Sequence, residues 1–139
     1  MQATDTPIPE FLASLPDGVR EDMTALDAEL APVFGGERVL WQGPMWGGTE
    51  QRIIGYGRMV QRSRSGDEVD WFVVGLAAQK AHLSLYVNAV DDGQYLVKRW
   101  ADRLGRVKVG SANATFRRLA DVDVAGVVAL AERAHDLTA

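Results

Sequence analysis

Trp41, Met45 and Trp46 sit close together in the chain, and Tyr56 and Tyr86 follow further along. Tryptophan and methionine offer large, polarizable surfaces that suit a flat or apolar ligand. Gly43, Gly47 and Gly48 would let the backbone approach such a ligand closely. The same residues would serve equally well as a core held by a Gly/Pro turn, and both readings stay open. Lys80 falls between two strand-like segments, where it either meets an anionic ligand or stays solvated. Trp41, Met45, Trp46, Tyr56, Lys80 and Tyr86 are therefore the candidate ligand-binding set.

A second constellation is acidic. Asp17, Glu21, Asp22, Asp27 and Glu29 fall on one helical stretch, and oxygen ligands suit a hard cation or ferrous iron. Glu21, Asp22 and Glu29 are the metal alternative, with iron as its cofactor. This spacing supplies pairs of ligands rather than a converging set, and acids early in a helix are also favoured by its dipole. The primary reading has no metal and no cofactor. His82 and His135 are too far apart in sequence for a paired-histidine motif. The absence of cysteine rules out disulfides, thiolate nucleophiles and thiolate metal sites.

No catalytic constellation stands out. Gly55-Tyr56-Gly57 lacks the third glycine and the strand-to-helix turn of a dinucleotide loop. There is no Gly-x-Ser-x-Gly elbow, Walker A loop or zinc-hydrolase motif. The expected function is a non-catalytic module that binds a small molecule or a protein partner. An iron carrier and an unrecognised enzyme are the alternatives, since a missing motif does not exclude an enzyme.

The elements that would position these residues are legible from periodicity. Residues 1–8 are polar, contain Pro7 and are expected to form a flexible tail. Pro16 suits a helix's first turn. Val19, Met23, Leu26, Leu30 and Val33 then form one apolar helical stripe, with Glu21, Asp22, Asp27 and Glu29 off it. Strands are expected at Val39 to Trp41, Arg52 to Met59, Val69 to Leu76 and His82 to Asn88. Ser65-Gly66-Asp67 marks a turn, and the third strand, apolar on both faces, reads as central. Asp91-Asp92 is expected to cap a helix carrying Leu96, Val97, Trp100 and Leu104, closed by Gly105. A short strand at Thr115 to Leu119 and a last helix capped by Asp121 or Asp123 complete the chain. These elements predict an α+β fold: a mostly antiparallel sheet of about five strands with N-terminal, middle and C-terminal helices.

The 139 residues suit one domain, 1–139. A net charge of −4, with only short basic runs at 61–64 and 117–118, argues against a nucleic-acid partner. No apolar run is long enough to span a bilayer and no signal peptide is visible, so no membrane partner and a cytoplasmic location are expected. An exposed aromatic patch on a small domain would also suit a homodimer interface.

Several segments taken together carry a resemblance. Trp41-Gln42-Gly43-Pro44-Met45-Trp46, Ile54-Gly55-Tyr56-Gly57 and Ser65-Gly66-Asp67-Glu68 followed by Asp70-Trp71-Phe72 are the first three. Gln79-Lys80 with Leu83-Ser84-Leu85-Tyr86, then Leu104-Gly105, Lys108 and Gly110, and finally Leu119-Ala120-Asp121-Val122-Asp123 follow. In order and spacing the chain, from about Phe11 to Ala134, resembles the YdhG-like family, a domain of unknown function. The resemblance implies a fold more than an activity. Some members carry a frataxin-like iron-chaperone label, which is what implies the iron alternative. Where the family often has Lys-Ser-Cys-Leu-Tyr, this chain has Ser111-Ala112-Asn113-Ala114-Thr115, so no role of that Cys or Tyr carries over. Arg106 and Gln79 also replace the family's lysine and arginine.

Overall fold

The computed structural model describes residues 1–45, 49–62 and 65–139. The chain opens with strand β1 (Gln2–Ala3), helix α1 (Ile8–Ala13) and helix α2 (Val19–Leu30). Strands β2 (Arg38–Met45), β3 (Thr49–Tyr56), β4 (Met59–Arg62), β5 (Glu68–Trp71), β6 (Val74–Ala78) and β7 (Leu83–Val87) follow. After them come β8 (Val90–Asp91), β9 (Gln94–Tyr95), α3 (Leu96–Arg99), β10 (Lys108–Val109), β11 (Asn113–Phe116) and α4 (Val124–Thr138). The fold is α+β. No helix among the described residues is long and apolar enough to cross a membrane.

Seven strands form one antiparallel sheet in the order β1-β2-β3-β6-β7-β11-β10. About five were expected, and the two outermost, β1 and β10, have only two residues each. Residues 1–8, expected to be a tail, supply β1, which pairs Gln2 with Gln42 and Ala3 with Trp41. The helices cover one face. On that face Leu40, Ile54, Tyr56, Leu76, Leu83 and Leu85 meet Met23, Leu26 and Leu30 of α2 and Leu130 of α4 in one core. Burying a large apolar side chain this fully contributes about 1.5–3 kcal/mol.

The apolar spacing of α2 holds as predicted, but two of its acids do not stay in solvent. Asp22 and Asp27 are buried, at 9% and 6% exposure. Asp22 is three residues from Val19 and Asp27 three from Leu30, which puts both on the margin of the inward stripe. Each is compensated by an arginine, as a buried charge requires. Asp22 Oδ2 accepts from Arg118 Nε at 3.0 Å and from the Leu119 N–H at 3.1 Å. Asp27 accepts from Arg38 Nη2 and from the Tyr56 hydroxyl.

The two strands expected at Arg52 to Met59 and Val69 to Leu76 are the limbs of one long hairpin. Its pairing passes from Tyr56↔Val74 to Met59↔Trp71 without a register slip. The ladder bends between those pairs, at Gly57-Arg58 opposite Phe72-Val73. Gly57 has φ +71°, and a Cβ there would lie 2.7 Å from Phe34 Cδ1. The β6 limb stays in the sheet between β3 and β7, as a central strand should, while β4 and β5 project as a two-stranded arm.

The predicted middle helix is present but short, and Asp91-Asp92 does not cap it. Asp92 (φ 53°) and Gly93 (φ 78°) both take the left-handed conformation and turn the chain between β8 and β9. That is the geometry of a tight Asp-Gly hairpin turn, which competes with helix capping for the same residues. Helix α3 then has only 4 residues, followed by a 3-10 turn at Ala101–Arg103. Asp123 caps α4, accepting from the Gly126 N–H at 3.1 Å.

Candidate functional site

The face without helices is set by strand alternation. Trp41 pairs with Ile53, Ile53 with Ala77 and Ala77 with Ser84, so these side chains form one row across four strands. In the next row, Gly55 pairs with Gly75. Neither glycine is needed for a left-handed backbone; both are needed for space. A Cβ on Gly55 would lie 2.6 Å from Trp41 Cδ1 and 2.8 Å from Phe72 Cβ. One on Gly75 would lie 2.6 Å from Phe72 Cε2. The glycine pair is thus a trough in the sheet, and aromatic rings fill it.

Three rings make the cluster. Trp71 stacks on Phe72 with centroids 4.6 Å apart and planes at 24°. Trp41 meets Trp71 at 5.3 Å and 59°, and Phe72 at 5.9 Å and 64°. The unbroken register puts Trp71 on this face by alternation with Gly75 and Ala77, and the bend brings its neighbour Phe72 to the same side. Sequence alone offers little sign of their part: they read as one apolar strand until the bend at Phe72-Val73 is known.

A cleft of about 370 Å³ opens beside the cluster, between the sheet and the projecting arm. Val39 and Trp41 line it on the sheet side, and Met59, Val60 and Trp71 on the arm side. Its rim is polar. Glu37 and Arg58 form an ion pair at 3.0 Å, and the exposed Asp70 stands on the arm. A volume of about 300–1,000 Å³, mostly apolar with a few polar groups, is what a small-molecule site requires.

The candidate residues divide among several places. Trp41 lines the cleft. Trp46, Gly47, Gly48 and the Met45 side chain lie outside the described residues. Tyr86 is on the inner strand β7 and shares Trp41's face, packed with Ile53, Phe72 and Ala77. Its hydroxyl accepts from Gln79 Nε2 at 3.0 Å. Tyr56 points the other way, into the helix-side core, with 0% exposure. Lys80 lines a different cleft, against α1.

Tyr56 is part of a buried polar unit. Its hydroxyl donates to Asp27 Oδ1 at 2.7 Å. Arg38 closes on the same carboxylate: Nη2 donates to Oδ2 at 3.0 Å. Arg38 Nε lies 2.7 Å from Oδ1 as an ion pair, although it is not aligned for a hydrogen bond. Burial raises the Tyr56 pKa well above the usual phenol value, and the Asp27 charge and hydrogen bond raise it further; Arg38 acts against them. This unit locks α2 to β2 and β3.

The acidic alternative set is spread out. Asp22 is engaged by Arg118 and the Leu119 N–H, while Glu21 and Glu29 are exposed. Among the described residues, no three His, Asp or Glu side chains gather in a group that could hold a metal ion. Set beside known proteins, the chain matches no family model, no curated protein and no solved structure.

Proposed function

We propose that this chain is a non-catalytic binding domain whose ligand is a small, flat, largely apolar molecule held between β2 and the β4–β5 arm. The observation that carries this reading is the Gly55–Gly75 trough with Trp41 and Trp71 beside an open cleft. Two tryptophans at the wall of a cleft give a planar ligand a stacking surface. The rim charges of Glu37, Arg58 and Asp70 would orient its polar edge. The order and spacing of the quoted motifs support a place in the YdhG-like family.

The test is a titration of planar metabolite-sized compounds followed by tryptophan emission, with Trp71→Ala alongside. Trp71 is only partly buried, so the variant should stay folded. Losing one stacking surface should weaken binding by about tenfold. Binding that is unchanged in folded Trp71→Ala would reject the reading, and so would a Trp71→Ala chain that unfolds, since the ring would then be core.

A further inference from the structure

A second cleft, of about 470 Å³, lies at the other end of the sheet, between α1 and the ends of β3 and β6. Phe11 and Leu15 form its apolar wall, and Thr49, Gln51, Arg52 and Lys80 are among its polar lining. The Arg52 guanidinium sits 5.1 Å from the Phe11 ring centroid, which fixes the cation against an aromatic face. Among the described residues, neither Arg52 nor Lys80 forms an ion pair. Glu50 also lines the cleft; its Oε1 accepts from Gln42 Nε2 at 3.0 Å, and among the described residues it forms no ion pair with either cation.

The amide network beside this cleft leaves further donors over. Gln79 Oε1 accepts from the Ser84 hydroxyl. Gln79 Nε2 donates to Tyr86 Oη at 3.0 Å and to Gln51 Oε1 at 3.1 Å. That orientation makes Gln51 Oε1 an acceptor and leaves the Gln51 amide N–H groups without a partner among the described residues. The cleft therefore presents two cations against one carboxylate, Glu50, with an amide donor and the Thr49 hydroxyl next to an apolar wall.

We propose that this cleft binds a small organic anion. Its carboxylate or phosphate would lie between Arg52 and Lys80, and its apolar body against Phe11 and Leu15. The site is separate from the aromatic cleft and does not depend on it.

The test is an NMR titration of the ¹⁵N-labelled full chain, at low ionic strength, with phenyl phosphate, benzoate and inorganic phosphate. Saturable shifts should appear at Phe11, Gln51, Arg52 and Lys80, with an aryl anion binding more tightly than inorganic phosphate. Preference for phenyl phosphate or for benzoate identifies the anionic group, and either supports the site. Arg52→Gln and Lys80→Gln should each weaken binding by about tenfold, as expected for loss of a charged donor. No saturable shift with any of the three probes would overturn the proposal, as would affinities that ignore both cation substitutions.

Discussion

Gly55→Ala tests whether the trough exists to seat the aromatic wall. Gly55 does not have a positive φ, so alanine is allowed by the backbone. In a strand this change alone would favour folding by about 0.5–1 kcal/mol. The new methyl, however, would meet Trp41 Cδ1 and Nε1 at 2.6 Å and Phe72 Cβ at 2.8 Å. Phe72 is fully buried and cannot move aside, and Trp41, which is half-buried, would have to leave its ring contacts and turn toward the cleft. Overpacking of this kind costs about 1–3 kcal/mol. The net loss should be about 0–2.5 kcal/mol, with a central value of about 1 kcal/mol, which for 139 residues lowers the melting midpoint by about 3–4 °C. Urea unfolding followed by circular dichroism gives the energy, and tryptophan emission reports the displaced Trp41. Trp41→Phe should relieve the clash, so the double variant should be more stable than the sum of the two single losses by about 0.5–1.5 kcal/mol. Additive losses would refute the claim that this glycine makes room for Trp41.

Tyr56→Phe should cost about 1–3 kcal/mol at neutral pH, because it removes a donor from the buried Asp27 carboxylate. The raised Tyr56 pKa means its contribution is complete below about pH 10, the unfolded phenol value, and is lost as pH rises toward the folded value. Denaturant midpoints taken up to pH 11 should therefore fall less steeply in Tyr56→Phe than in the parent. Asp22→Asn should destabilise by about 1 kcal/mol, since the amide oxygen can still accept from Leu119 and the lost partner, Arg118, is largely exposed. A larger loss in a urea series would mean that the charge itself matters. Asp123→Ala should cost about 1 kcal/mol by thermal melt and Asp123→Asn much less, as for any helix N-cap.

Much of the fold is readable in sequence because it rests on local periodicity. The stripe through Val19, Met23, Leu26 and Leu30 and the alternation at Leu83, Leu85 and Val87 both survive in the structure. What failed depends on which of two local signals wins, or on partners far along the chain. Asp92-Gly93 carries both a capping and a hairpin signal, and the pairing of Val90 with Tyr95 decides for the hairpin. Asp22 and Asp27 look like surface acids because their arginines come from residues 118 and 38. The candidate site was legible only in part for the same reason. Trp41, Tyr56 and Tyr86 announce aromatic chemistry, but only the pairings Trp41↔Ile53 and Gly75↔Tyr86 reveal that Tyr56 faces away from the other two. Phe72 joins the cluster only because the bend opposite Gly57 breaks the alternation.

The way the strands end has a consequence for self-association. The main sheet closes on two-residue edges, β1 and β10, too short to template another chain. The arm is different. Among the described residues β4 and β5 pair only with each other, so each leaves an outer row of backbone groups open, with Val60 57% and Val69 46% exposed. Charges bracket those valines: Arg58 and Arg62 on one limb, Glu68 and Asp70 on the other. Such gatekeepers make an added strand from another molecule costly. The arm that shapes the cleft is thus also the place where loss of charge would first turn this protein toward aggregation.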